Sequence, residues 1–173
     1  MHIPDGILPI AVTAGGYAVT TAATWYAMKQ INKSENPRAD VPKAALLTAA
    51  FFVASWIHIP VPPTSVHLLL SGLLGVVLGW YAFPAILIGL FFQAVMFQHG
   101  GLTSLGVNAA MLGIPALMGH FLFQQYRWFG AENRTAMGIF AFLGGSGALA
   151  ISTVVAFTLL ITTIPGTLDV AAE

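Results

Sequence analysis

Long apolar stretches alternate along the chain with short stretches that are polar or rich in proline and glycine. A helix that crosses the hydrocarbon core of a membrane needs about 20 mostly apolar residues. The pattern therefore predicts an all-α fold, a polytopic transmembrane helical bundle with six spans in this chain. Pro115 falls inside the fifth span and predicts a kink there. The predicted spans cover residues 7–31, 44–59, 67–81, 84–99, 103–126 and 137–164.

Composition agrees with a lipid environment. Of the 173 residues, 57% are hydrophobic and 7% are charged, whereas a soluble domain carries about 25% charged residues. A chain of this length suits one domain, so we expect a single transmembrane domain over residues 1–173, surrounded by the lipid bilayer. The formal net charge is zero, and nothing in it favours a nucleic-acid partner.

The basic residues predict the orientation of the bundle. All six lie in or beside only two of the predicted polar loops, the one after the first span and the one after the fifth. If the N-terminus is outside, every one of them faces the cytoplasm, as the positive-inside rule requires. We therefore expect a multi-pass protein with the N-terminus and the turn at 60–66 on the external side. The six residues are Lys29, Lys33, Arg38, Lys43, Arg127 and Arg134.

The five histidines are the main candidates for chemistry. The chain has no cysteine, so a bound metal would be held by nitrogen or oxygen atoms. Imidazole is the commonest metal ligand among side chains. His2, His58, His67 and His99 are all expected on the external side, whereas His120 lies in the fifth predicted span, nearer the cytoplasm.

His2 stands out because it follows the terminal residue. The α-amine of Met1, the backbone amide of His2 and its imidazole can together close a five-membered and a six-membered chelate ring around one ion. Three nitrogen atoms in a plane favour Ni²⁺ or Cu²⁺, and His67, which follows three prolines, is the best candidate for a fourth. No basic residue precedes Lys29, so the N-terminus lacks the pattern of a cleavable signal and we expect Met1 to be retained.

Each of these residues also has a simpler interpretation. His2 could be a disordered terminal residue, and His67 could face lipid headgroups at the end of a helix. Asp5 either forms a turn in Pro-Asp-Gly or orients His2 as a carboxylate behind the ligand. A further set either supports the metal site or its access path, or forms hydrogen bonds within the bundle. That set is His58, Ser65, Gln93, Gln98, His99 and Asn108.

Three motifs occur in order along the chain. They are Met-His-Ile-Pro-Asp-Gly-Ile-Leu-Pro at 1–9, Pro-Pro-Thr-Ser-Val-His-Leu-Leu-Leu-Ser-Gly at 62–72, and Phe-Gln-His-Gly-Gly-Leu-Thr-Ser-Leu-Gly-Val-Asn at 97–108. With them the chain resembles the CbiM/NikM family, the cobalt/nickel substrate-binding (S) components of energy-coupling-factor transporters. The resemblance extends from residue 1 to about residue 165.

The resemblance implies a function and partners. It implies that Met1, His2 and His67 bind Ni²⁺ or Co²⁺ as transported substrate, with no resident cofactor. It implies a plasma-membrane importer of a prokaryote in which a transmembrane coupling (T) protein, two cytoplasmic ATPases and, in many systems, a small accessory membrane protein are the partners. The family also implies a seventh span, which this chain does not show in its pattern. No phosphate-binding Gly-x-x-x-x-Gly-Lys-Ser/Thr motif occurs, so ATP hydrolysis is expected in the partners.

Two other classes compete with this interpretation. A haem-binding electron carrier would need histidines at matched depth on facing helices, and His120 has no partner at its predicted depth. A structural subunit without a ligand would leave the Met1–His2 arrangement unexplained. We do not expect an enzyme, because the predicted spans contain no paired carboxylates and no nucleophile beside a base.

Overall fold

A computed structural model of the chain describes residues 2–55, 57–61, 64–67 and 70–163; of 58–61 and 64–67 it describes the backbone. Two short 3₁₀ turns, Gly79–Tyr81 and Gln125–Phe129, follow the third and fifth helices. In chain order the other elements are α1 (Ile10–Ile31), α2 (Val41–Ala54), β1 (His58–Val61), β2 (Thr64–His67), α3 (Ser71–Leu78), α4 (Ala82–Phe97), α5 (Leu105–Gln124) and α6 (Arg134–Thr163).

The predicted helical bundle is confirmed over the described part of the chain, with one helix near each predicted span. Three segments are long and apolar enough to cross a membrane, namely Ser71–Phe97, Leu105–Phe129 and Arg134–Thr163. Helix α2 is apolar but has only 14 residues. Helix α1 has 22 residues, and its threonines and glycines make it less apolar. The crossing of all six helices therefore stays a prediction.

The prediction is wrong between the second and third spans, where a β-hairpin replaces helix ends. Strands β1 and β2 pair in antiparallel fashion, with the Cα atoms of His58 and His67 opposite each other. Prolines fix an extended backbone and remove amide donors that a helix needs, and three of them lie at 60, 62 and 63. The predicted helical positions of His58 and His67 are therefore corrected to strand positions, and Ser65 lies in β2 as well.

Helices α3 and α4 form a helical hairpin beside α5. Gly79 adopts φ of 58°, which is in the range that favours glycine, and the 3₁₀ turn that it begins reverses the chain. Leu74 and Leu78 of α3 then pack in one apolar cluster with Ala82 and Ile86 of α4. The segment Ser71–Phe97 thus contains two helices, α3 of 8 residues and α4 of 16 residues, which meet close to the predicted break near 81–84.

The loops that carry the basic residues lie at one end of the bundle. The Tyr81 hydroxyl, in the turn after α3, donates a hydrogen bond to the backbone oxygen of Pro37, in the α1–α2 loop. The same turn meets the far part of α5, where Gly79 lies against His120. The N-terminal segment and the loop before α5 lie at the opposite end. The side of the membrane that each end faces stays a prediction.

Small residues let α3, α5 and α6 approach at backbone contact, as is common in membrane bundles. A Cβ atom built on Gly75 would lie 2.0 Å from the backbone oxygen of Ala116. One built on Gly119 would lie 2.5 Å from the backbone oxygen of Gly144. Helix α5 is therefore held on both sides by neighbouring backbones and provides a fixed platform for its own N-terminus.

Substitution Gly75→Ala should destabilise the protein, because the new methyl group meets a backbone oxygen that cannot move without shifting α5. Overpacking of this kind costs about 1–3 kcal/mol in the free energy of unfolding. Gly138→Ala is the control, since a Cβ there meets nothing within 4 Å and alanine favours a helix over glycine. Thermal unfolding in detergent measures both, and equal melting temperatures would contradict the close contact.

Candidate metal centre

The backbone of Ile3 is bound by two side chains of the fourth-to-fifth helix region. Its N–H donates to Oδ1 of Asn108 at 2.9 Å, and its carbonyl accepts from Nδ2 of Asn108 at 3.0 Å. The Ser104 hydroxyl donates to the same carbonyl at 2.6 Å. The residue that follows His2 therefore has both of its backbone polar groups paired, and its side chain is buried at 3% exposure.

Asp5 binds the loop that leads into α5. Its carboxylate accepts from the backbone N–H groups of Leu102 at 3.0 Å, Thr103 at 2.9 Å and Ser104 at 3.2 Å, and from the Thr103 hydroxyl at 2.6 Å. The first N–H groups of a helix have no partner within it and favour a negative charge nearby. Ser104, the N-cap residue of α5, makes no capping bond with its own side chain, so Asp5 supplies the anion from the other end of the sequence.

These hydrogen bonds lower the pKa of Asp5 below its ordinary value. The Thr103 hydroxyl is the largest cause, slight burial acts in the opposite direction, and the backbone N–H groups of 102–104 add to the lowering. The carboxylate is therefore ionised throughout the physiological range. The sequence offered two interpretations of Asp5, and the structure adds a third. The carboxylate attaches the N-terminal segment to the loop at the start of α5.

His2 lies beside His99 at this end of the bundle. The centroids of the two rings are 5.1 Å apart, and their planes are nearly perpendicular at 84°. Both ring nitrogens of His2 are buried. Gly100, with φ of 83°, passes so close that a Cβ there would lie 3.4 Å from the Cβ of His2. His2 is thus partly buried at this end of the bundle, with its ring beside that of His99, and its role as a ligand stays a prediction.

The turn after α4 brings His99 to this position. Gln98 ends the helix in the left-handed conformation, with φ of 52°. The N–H of His99 then donates to the backbone oxygen of Gln93 at 3.2 Å. Gln98 therefore shapes the turn through its backbone, and the turn brings the ring of His99, a predicted supporting residue, beside that of His2.

The other predicted site residues lie outside the described residues, either entirely or in their side chains. Met1 lies outside the described residues, and His58, Ser65 and His67 are described in their backbone only. Within the described residues, no three His, Cys, Asp or Glu side chains form a cluster that could hold a metal. The ligand set Met1, His2 and His67 therefore stays a prediction, of which His2 is located.

Sequence reasoning missed the role of the loop residues that hold the N-terminus. Thr103 and Ser104 precede an apolar run and have the composition of a helix start. Their partner Asp5 lies 98 and 99 residues away, and no local pattern could pair them. Asn108 was proposed either as support for the site or as a bundle residue. In the structure it binds the backbone of Ile3, and its support of a metal site stays a prediction.

The fold and this site define a helical membrane protein with candidate metal ligands enclosed at one end. Comparison with known proteins gives the family. Residues 2–172 match CbiM, described as the cobalt uptake substrate-specific transmembrane region, so the chain belongs to that family. The resemblance predicted from three motifs is confirmed, and the protein is a membrane component for uptake of cobalt or nickel.

Relatives extend the match over most of the chain. A Haemophilus influenzae protein named for metal transport is 37% identical over 155 residues, which are 87% of this chain and 73% of that protein. The fused nickel transport protein NikMN of Rhodobacter capsulatus is 34% identical over 120 residues, which are 68% of this chain and 34% of that protein. A truncated transition metal transporter of known crystal structure matches with a TM-score of 0.72 at 28% identity, covering 88% of this chain and 72% of that one. This chain thus spans about a third of the fused nickel protein.

Substitution Asp5→Ala should loosen the N-terminus and lower the free energy of unfolding by about 1 kcal/mol or less, the range of an exposed helix cap. The effect should depend on pH in one direction. The pKa of Asp5 is lower in the folded protein than its unfolded value of about 3.9. Its contribution is therefore complete above about pH 4 and is lost as pH falls through the folded pKa.

Melting temperatures at neutral and acidic pH measure this difference. Asp40→Ala is the matched control, because Asp40 precedes α2 but makes no capping bond with its side chain. Equal effects of the two substitutions at pH 7 would show that the contact between Asp5 and the start of α5 adds no stability.

Proposed function

We propose that this chain captures Ni²⁺, and Co²⁺ next in preference, as the substrate-binding component of an energy-coupling-factor importer. The ligands are the amine of Met1, the backbone amide and imidazole of His2, and the imidazole of His67. The observation that carries the proposal is the pairing of Ile3 with Asn108, because it attaches the residue next to His2 to α5. A chelate built on a chain terminus needs such an anchor.

The chemistry of the proposed ligands favours a plane of nitrogen atoms. The amine of Met1, the backbone amide of His2 and the imidazole of His2 would form two fused chelate rings. Such rings keep their three nitrogen atoms coplanar. Planar nitrogen fields suit Ni²⁺ and Cu²⁺, and Ni²⁺ stands above Co²⁺ in the general affinity order of divalent metals. The Rhodobacter capsulatus relative is named for nickel transport and the family for cobalt uptake, so both ions are substrates to test.

Protonation should control capture. The terminal amine has an ordinary pKa of about 8 and imidazole one of about 6.5, and both must lose their protons to bind a metal. Binding should therefore weaken as pH falls from 8 to 6. Asp5 stays ionised in that range because its pKa is lowered, so the anchor of the N-terminus persists while the ligands protonate.

The proposed orientation places the site outside a prokaryotic cell. The basic loops lie at the end opposite to His2, so the positive-inside rule directs that end to the cytoplasm. There a transmembrane coupling protein, two ATPases and, where present, a small accessory membrane protein would join the chain and drive transport. The catalytic step, ATP hydrolysis, belongs to those partners in this proposal.

Insertion of three glycines between Met1 and His2 should abolish high-affinity Ni²⁺ binding. The insertion separates the amine from the imidazole, but it leaves the hydrogen bonds of Ile3 and Asp5 to the start of α5 in place. Calorimetric titration of purified protein should show one tight site in the native chain and an affinity lower by roughly 100-fold or more in the variant. A single inserted residue is less suitable, because an imidazole at position three can form a chelate of its own.

Acetylation of the native α-amine provides an independent control, since it removes the same ligand without changing the sequence. Equal Ni²⁺ affinity in the native, extended and acetylated proteins would move the site away from the N-terminus and overturn the proposal.

Substitution His67→Ala should likewise remove tight Ni²⁺ binding, whereas His58→Ala should preserve it within about threefold, since only one imidazole completes the plane. The two residues face each other in the register of the hairpin, which makes them a matched pair. His120→Ala, at the opposite end of the bundle, controls for loss of any histidine. Titration of all three variants decides the fourth ligand, and loss of binding in His58→Ala alone would exchange the two roles.

A further inference from the structure

Gln93 carries a fully buried amide that makes no hydrogen bond to the described residues. Its relative exposure is 0%, and neither Oε1 nor Nε2 has a hydrogen-bond partner among the described residues. A glutamine side chain offers two donors and an acceptor with two lone pairs. Buried polar groups in folded proteins are nearly always paired, so an unpaired one indicates a partner that arrives in another state.

The position of Gln93 relates it to His2. Gln93 continues the face of α4 formed by Ile86 and Leu90, which packs into the bundle interior. It lies about one helical turn before the end of α4, and its backbone oxygen holds the N–H of His99 at 3.2 Å. The ring of His99 contacts that of His2 at 5.1 Å between centroids. Gln93 therefore lies on the buried face of α4, at the end of the helix whose turn carries His99 beside His2.

The chemistry of the proposed chelate requires an acceptor here. When His2 binds a metal through Nδ1, its Nε2 carries the proton. A metal-bound imidazole almost always donates that second N–H to a carboxylate, carbonyl or water, which fixes the ring and increases its basicity. Two polar side chains at this end of the bundle are engaged elsewhere, Asn108 with the backbone of Ile3 and Asp5 with residues 102–104.

We propose that Oε1 of Gln93 accepts the Nε2–H of His2 when the cation is bound, so that Gln93 is a positioning residue for capture. The inference rests on the proposed function, because it assigns a role only to the metal-loaded state. The acceptor is the oxygen of a neutral amide on helix α4. It would orient the imidazole without adding a buried charge.

The test is Gln93→Met, which keeps the length of the side chain and removes the amide. Titration should show Ni²⁺ affinity reduced by about 10- to 100-fold, the usual effect of losing such an acceptor. The melting temperature of the metal-free protein should stay the same or rise, because an unpaired buried polar group is removed. The visible absorption of bound Ni²⁺ should keep its wavelength, because the ligands are unchanged.

Gln93→Glu provides rescue, since a carboxylate can accept the same hydrogen bond, and its affinity should lie closer to the native value than that of Gln93→Met. Gln125→Met is the matched control at the opposite end, where Oε1 of Gln125 is also buried without a hydrogen bond among the described residues; it should not alter affinity. If Gln93→Met does not fold, Gln93→Leu replaces it.

Unchanged affinity in Gln93→Met would overturn the inference. Equal losses in the Met and Glu variants would overturn it too, because packing rather than the acceptor would then matter. A shifted absorption band would make Gln93 a ligand and not a positioning residue. Failure of the native protein to bind Ni²⁺ would instead refute the proposed function, and the two failures are thus distinguishable.

Discussion

The attachment of the N-terminal segment to the start of α5 determines the rest of the site. Asp5 receives four hydrogen bonds from residues 102–104, and Ile3 shares three with Ser104 and Asn108. A chain terminus normally remains mobile because ordering it costs conformational entropy. Here the hydrogen bonds to the loop just before α5 and to Asn108 offset that cost for residues 3–5, the segment that follows His2.

The attachment is useful only because α5 itself is fixed. Backbone-to-backbone contacts at Gly75 and Gly119 hold α5 against α3 and α6, and Gly106 lies equally close to the backbone of Tyr17 in α1. Such contacts tolerate little displacement, since a packed interior transmits shifts instead of absorbing them. The position of an imidazole at one end of the bundle therefore depends on small residues deep within it.

The sequence predicted the helices well, whereas the ligand set that it suggested stays a prediction. The lengths of the apolar stretches located six helices. The apolar residues around the three prolines fitted a helix end as well as a strand, so the pairing of β1 with β2 was missed. Short apolar runs have no period that distinguishes the two. His2 was singled out from its place in the chain, and His99 and Asn108 as polar residues near it. The pairing of Asp5 with residues 102–104 depends on tertiary structure, which no spacing in the sequence records.

The same arrangement bears on the choice of metal in the proposed function. An amine–amide–imidazole chelate is flexible in a free peptide and can distort toward other geometries. With the backbone of Ile3 bound by Asn108 and Ser104 immediately after His2, the chelate would have less freedom to distort. A rigid plane favours ions that accept planar nitrogen ligands over Zn²⁺, which prefers a tetrahedron. Selectivity would then arise less from the ligand atoms, which many metals accept, than from the loop before α5 that keeps them in place.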